Sequence, residues 1–86
     1  MHEMSVAMEV ARIAEENAGT RGAASVLAVE LEVGSDAGVE ISNLEFCLDV
    51  VLSQPPFQRA KAVIQRRVGD VLRVLSLEVD DEHPHN

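Results

Sequence analysis

The sequence predicts an α+β fold, a two-layer α/β sandwich whose elements follow in the order α-β-α-β-β. Two stretches carry apolar residues at helical spacing, three are rich in Val, Ile and Leu, and glycines or prolines separate them. A three-stranded sheet with two helices on one face would bury every apolar stripe. In a chain of 86 residues, we expect one domain at 1–79 and a flexible, acidic, His-containing tail at 80–86.

The first helix is predicted from Met4 to Ala18, because apolar residues recur there at three- and four-residue spacing and Gly19 follows as a stop. The first strand is predicted over SVLAVELEV at 25–33, where large apolar residues alternate with Ala and Glu. The face expected to be buried consists of Leu27, Val29, Leu31 and Val33.

The second helix is predicted to begin at a capping box formed by Ser42 and Glu45, or slightly earlier near Val39. Pro55 and Pro56 end it. Two β-rich runs follow at 60–67 and 71–79, joined by a short turn around 69–70. This pattern predicts an antiparallel hairpin, and a strand-swapped homodimer if the turn opens.

The formal net charge of −8 argues against a protein that binds nucleic acid, which would need a basic face. The charges are unevenly spread, since five of the seven basic residues lie between 59 and 73: Arg59, Lys61, Arg66, Arg67 and Arg73. This split would guide docking to a charged protein partner. The alternative is a solvated strand surface.

The single cysteine, Cys47, excludes an intramolecular disulfide and any CxxC zinc motif, and we expect it to be a small buried apolar residue. The sequence has no signal-peptide pattern and no apolar run of about 18 residues, so no membrane span is predicted. These features predict a cytoplasmic protein.

The amino terminus, Met1-His2-Glu3, contains a set of nitrogen donors. The α-amine, the amide nitrogen of His2 and its Nδ1 are linked through a five-membered and a six-membered chelate ring, and the Glu3 amide is a further donor. Deprotonated amides with imidazole in a tetragonal array suit Ni(II) or Cu(II) rather than Zn or Mg. The alternative interpretation is a frayed polar end.

Three motifs in the order MHEMSVA, ELEVG with GVE, and LRVLSLEVDD resemble the HypA/HybF family, the nickel-incorporation proteins of [NiFe]-hydrogenase maturation, some of which also serve urease. The resemblance implies an N-terminal nickel-binding α/β domain. It also implies a nickel site at Met1, His2 and Glu3, formed by the His2 side chain and the backbone nitrogens of His2 and Glu3. Glu40 matches an acidic position near the metal, which predicts either a residue that supports a metal ligand without touching the metal or an acidic residue in the first turn of a helix.

The family inserts a zinc domain with two CxxC pairs between its last two strands, whereas this chain has only the turn around 69–70 there. We therefore expect Ni(II) but no zinc site. The histidine that reaches the nickel from the zinc domain in some members is missing too. His83 and His85 would either supply a fourth ligand or lie in a mobile tail.

The resulting hypothesis is a nickel metallochaperone, not an enzyme, because no catalytic triad or phosphate-binding loop is present. The resemblance implies two partners, a HypB-like GTPase and a hydrogenase large-subunit precursor. The alternative is a metal-free protein–protein interaction module that modulates a nickel-insertion GTPase.

Overall fold

A three-stranded sheet covered on one face by two helices forms the structure, a computed structural model that describes residues 2–80. The elements are helix α1 (Glu3–Glu16), a 3-10 turn (Ala23–Ser25), strand β1 (Val26–Gly34), helix α2 (Ile41–Leu52), strand β2 (Lys61–Arg67) and strand β3 (Leu72–Val79). The predicted α+β class, element order and layers are confirmed. No helix within this part of the chain is long and apolar enough to cross a bilayer.

The sheet has the order β2-β1-β3, with β1 in the centre. β2 pairs with β1 in parallel, from Ala28 opposite Lys61 to Gly34 opposite Arg67. β3 pairs with β1 in the antiparallel direction. The predicted hairpin of β2 and β3 is therefore wrong, because the two strands lie on opposite sides of β1. A short turn favours a hairpin locally, but β1 is the most buried strand and gains hydrogen bonds on both edges when it lies in the centre.

The connection from β2 to β3, residues 68–71, crosses over the end of β1 at Gly34. The Gly34 amide donates to the carbonyl of Val71 at 2.6 Å, and the Asp36 amide donates to the carbonyl of Gly69 at 2.7 Å. A Cβ atom at Gly34 would lie 2.1 Å from the Gly69 carbonyl oxygen. A glycine is therefore required where the connection passes.

The core lies between the sheet and the two helices. Its fully buried large side chains are Leu31, Leu44, Leu48, Leu52, Val26, Val29 and Val33. Leu27 was predicted on the buried face, but it is 46% exposed and Val26 is buried instead. The reason is a register shift of β1 against β3 between Val26 and Ala28, which moves the alternation by one residue. Cys47 lies in the core as predicted.

The uncovered face of the sheet is organised around Glu32, whose side chain is only 9% exposed. Its carboxylate accepts hydrogen bonds from Nε of Arg73 and, at 3.1 Å, from Nε of Arg67. These guanidinium groups, Arg73 first, lower the pKa of Glu32 below the ordinary value of 4.5, against the opposing effect of desolvation. One carboxylate therefore joins β1 to both outer strands.

Asp80 lies next to the start of β1. Its amide donates to the carbonyl of Ser25 at 2.7 Å, and Arg21 donates to its carbonyl at 3.1 Å. Residues 81–86, which include the predicted tail histidines, lie outside the described residues.

Replacing Gly34 by Ala should destabilise the fold strongly, because the added methyl collides with backbone and the crossing must move. We expect a loss near the top of the range of about 1–3 kcal/mol seen for overpacking, measured by urea unfolding. Gly38→Ala is the matched control. Gly38 has φ +81° but open space around it, so the loss there should be only the cost of the left-handed backbone, about 1–2 kcal/mol. Equal losses would contradict the importance of the crossing.

Glu32→Gln should make stability less dependent on pH in acid. Because the folded-state pKa of Glu32 is lowered, its stabilisation is complete above the ordinary value of 4.5 and is lost as the pH falls through the folded-state pKa. The variant should be less stable than the parent at about pH 7, and this gap should narrow at about pH 3. Denaturant unfolding at both pH values measures the gap. Glu45→Gln, an exposed change on α2, is the control for the loss of one carboxylate.

Candidate functional site

Two of the residues predicted to bind nickel, His2 and Glu3, lie where α1 begins. His2 is the N-cap of this helix, with φ −84° and ψ 118°, and its carbonyl accepts the Val6 amide at 3.2 Å. The His2 side chain is exposed and makes no capping hydrogen bond. Met1 lies outside the described residues. The imidazole is therefore placed at the surface, at the amino-terminal end of a helix.

Glu3 is the first residue of α1, and its carboxylate joins the two helices. Oε2 accepts the backbone amide of Glu40 at 2.9 Å, and Oε1 accepts Nδ2 of Asn43, also at 2.9 Å. Both partners belong to the start of α2. The contact links residues 37 positions apart, so it fixes where α1 begins relative to α2.

Glu40 caps α2 with its side chain. Oε1 accepts the Asn43 amide at 2.7 Å, while Oε2 accepts the hydroxyl of Ser42 at 2.7 Å and its amide at 3.4 Å. The predicted N-cap at Ser42 is therefore wrong by two residues, although the alternative start near Val39 is close to the observed one. The extended backbone of Glu40, φ −92° and ψ 119°, lets a carboxylate take the capping role that Ser usually fills.

Both carboxylates are favoured in their ionised form. The Glu40 amide lowers the pKa of Glu3 most, followed by the amide of Glu3 itself and the Asn43 side chain. The Ser42 hydroxyl lowers the pKa of Glu40 most, while the nearby charge of Glu3 opposes it. Negative charge at helix amino termini is also stabilised by the helix dipole. Two anionic groups thus lie where α1 and α2 begin.

The structure brings Glu3 and Glu40 together, through the Glu40 amide and the Glu3 carboxylate. Asn43, which links the two helices, is a residue of the candidate site that the sequence pattern did not predict. The only signal for it was a polar side chain in the first turn of a helix. Within residues 2–80, no group of three or more His, Cys, Asp or Glu side chains is arranged to hold a metal ion.

Comparison with known proteins identifies relatives of this chain. The family profile described as "Hydrogenase/urease nickel incorporation, metallochaperone, hypA" matches residues 1–72. A hydrogenase maturation factor HypA from Parabacteroides distasonis is 41% identical over 63 residues, which cover 73% of this chain and 55% of the relative. The HypA of Geobacter metallireducens is 41% identical over 69 residues, which cover 80% of this chain and 60% of the relative. The HypA of Azoarcus sp. is 52% identical over 52 residues, which cover 60% of this chain and 46% of the relative. The chain thus spans about half the length of these relatives.

Asn43→Ala should loosen the first turn of α1 without unfolding the protein, because it removes one of the two bonds that hold the Glu3 carboxylate. We expect the Val6 amide, which donates to His2, to exchange its hydrogen several-fold faster, as measured by NMR. Asn17→Ala is the matched control, since Asn17 also donates from Nδ2, to the Ile13 carbonyl at 2.8 Å, but at the far end of α1. Equal exchange of Val6 in the parent and Asn43→Ala would contradict the link.

Proposed function

The chain belongs to the HypA family, and from this premise we propose that it is a nickel metallochaperone that holds Ni(II) at its amino terminus and assists nickel insertion during [NiFe]-hydrogenase maturation. The observation that carries the proposal is that the family match begins at residue 1. It therefore includes Met-His-Glu, whose His2 side chain is exposed. A metallochaperone carries a metal and catalyses no reaction on it.

We propose that the nickel ligands are the His2 imidazole, the backbone nitrogens of His2 and Glu3, and the α-amine of Met1. The first amides of an α-helix have no acceptor within the helix. Glu3 is the first helical residue, so a deprotonated amide at this position would break no backbone–backbone hydrogen bond of the helix and would give up only the contact with its own carboxylate. His2 precedes the helix and has the same freedom. A tetragonal set of such nitrogens suits Ni(II).

In this proposal, Glu40 and Asn43 do not bind the metal but position Glu3, whose backbone nitrogen does. They hold the Glu3 carboxylate, at 2.9 Å each, and thereby fix the backbone that carries the Glu3 nitrogen. The ionised carboxylates of Glu3 and Glu40 also favour the approach of a divalent cation. These roles account for an acidic residue at position 40 without direct metal contact.

The position of His2 at the surface suits a carrier rather than a permanent site. A ligand of the receiving protein can approach an exposed imidazole and replace it before the other nitrogens release the metal. The family resemblance implies that a HypB-like GTPase docks near this end and that a hydrogenase large-subunit precursor, in the cytoplasm, receives the nickel. Since the chain spans about half of its relatives' length, these partners are proposals.

Nickel binding is tested by calorimetric titration of four proteins with Ni(II). His2→Ala removes the imidazole, and a Gly-Ser extension before Met1 converts the amine to an amide. Each should weaken binding by at least about 100-fold, or roughly 3 kcal/mol, without changing the melting temperature of the metal-free protein. Replacing both His83 and His85 by Ala is the matched control and should change affinity only several-fold.

Two results would contradict the proposal. The site would lie in the tail if the His2→Ala or extended protein bound nickel as tightly as the parent and the tail variant lost its affinity. No nickel binding by the parent would favour the metal-free interaction module. Elemental analysis of the same samples should show no stoichiometric zinc, because the only thiol, Cys47, is buried.

A further inference from the structure

The outer edge of β3 is not paired with any strand within residues 2–80. Such an edge presents a row of backbone amides and carbonyls that can pair with another strand. The edge is long, since β3 runs over eight residues. Its side chains determine which strand fits.

A bulge in β3 places unlike charges on one face. Ser76 lies opposite Glu30, but Val74 lies opposite the next residue of β1, Leu31, so Leu75 is the extra residue. The alternation of faces therefore shifts by one at Leu75. As a result, Arg73 and Glu78 share the uncovered face although five positions separate them. Leu72, Val74 and Leu77 face the helices.

An apolar groove follows the same edge. It lies between α1 and β3 and has a volume of about 410 Å³. Its apolar lining includes Val6, Val10 and Ile13 from α1 and Leu31, Leu72 and Val74 from the sheet. The groove shows that α1 does not fully cover the helix-facing side chains of β3, so apolar surface borders the unpaired backbone.

We propose that β3 pairs in the antiparallel direction with β3 of a second copy of this chain, about a two-fold axis between Leu75 and Ser76, to form a continuous six-stranded sheet. This axis passes through the midpoint of β3, so all eight residues overlap. Arg73 lies opposite Glu78 of the second copy, twice in the dimer. Val74 lies opposite Leu77 and Leu72 opposite Val79, which joins the two apolar edges.

This register is selected by the bulge. Directly opposite residues of an antiparallel pair must lie on the same face. A shift of one residue either way would set Arg73 against Leu77 or against Val79, which lie on the other face. A larger shift shortens the overlap and separates Arg73 from Glu78. The register with full overlap is thus also the one that matches faces and charges.

The remaining geometry permits the pair. The Arg73 side chain is 67% exposed even though its Nε donates to Glu32, and Leu75 is 39% exposed at the axis. The start of α1 lies beside Leu72, because Ser5 and Leu72 line the same groove. In an antiparallel pair the starts of the two α1 helices therefore lie at opposite ends of the sheet, away from the two-fold axis.

The test is analytical ultracentrifugation of the metal-free full chain from about 10 μM to about 1 mM. At about 0.15 M salt the Debye length is about 8 Å, so the long-range repulsion of two acidic chains is screened while contact pairs persist. We expect a reversible dimer. Glu78→Arg should raise its dissociation constant at least about tenfold, and the double variant Arg73→Glu/Glu78→Arg should restore it. Leu75→Lys should abolish association.

Val63→Lys is the matched control, because Val63 is also an exposed apolar residue, 45% exposed, but lies on the opposite edge strand β2. It should leave the dissociation constant within about twofold. A monomer throughout the concentration range would overturn the proposal. A dimer whose dissociation constant is unchanged in Glu78→Arg and Leu75→Lys, as expected of a strand-swapped dimer, would overturn it too. An equal loss of association in Val63→Lys would also overturn it. Because Arg73→Glu also removes the contact with Glu32, circular dichroism checks the fold of the double variant. The single variants Glu78→Arg and Leu75→Lys test the interface independently of the double variant.

Discussion

The pairing of β1 on both of its edges is the constraint on which the rest of the structure depends. A central strand fixes the outer strands on opposite sides, so the connection at 68–71 must pass over the end of β1. Gly34 allows this passage, because any side chain there would meet the Gly69 carbonyl. The parallel pairing of β1 with β2 also requires a crossover connection, and α2 supplies it. Topology and helix position thus follow from one strand.

The same constraint assembles the candidate nickel end. β1 finishes at Gly34, so α2 must start at that end of the sheet, and α1 also starts there, beside Leu72. Two helix amino termini therefore lie together, and each brings unsatisfied amides and positive partial charge. The carboxylates of Glu3 and Glu40 accept amides at the start of α2. Their negative charge also offsets the positive partial charge of the helix ends. The candidate site is built where the chain must in any case satisfy exposed helix ends.

The uncovered face shows how a small sheet can be stable with helices on one side only. Glu32 is nearly buried there by the arginines that bind it, Arg67 on β2 and Arg73 on β3. Long arginine side chains can shield apolar surface with their stems while their charges stay solvated. The ion pairs of Glu32 on this face thus tie each outer strand to β1.

The sequence by itself determined the features that depend on near neighbours along the chain. These are the two helices, the three strands, the burial of Cys47 and the Met-His-Glu motif with its family, because spacing and composition report them directly. Only the tertiary structure decided which strand is central, where the alternation shifts at Leu27 and Leu75, and that Glu40 rather than Ser42 caps α2. Periodicity tells which face of a strand is buried but not which strand lies beside it. The bonds from Glu3 to Glu40 and Asn43 likewise join residues far apart in the chain, and no local pattern encodes such a contact.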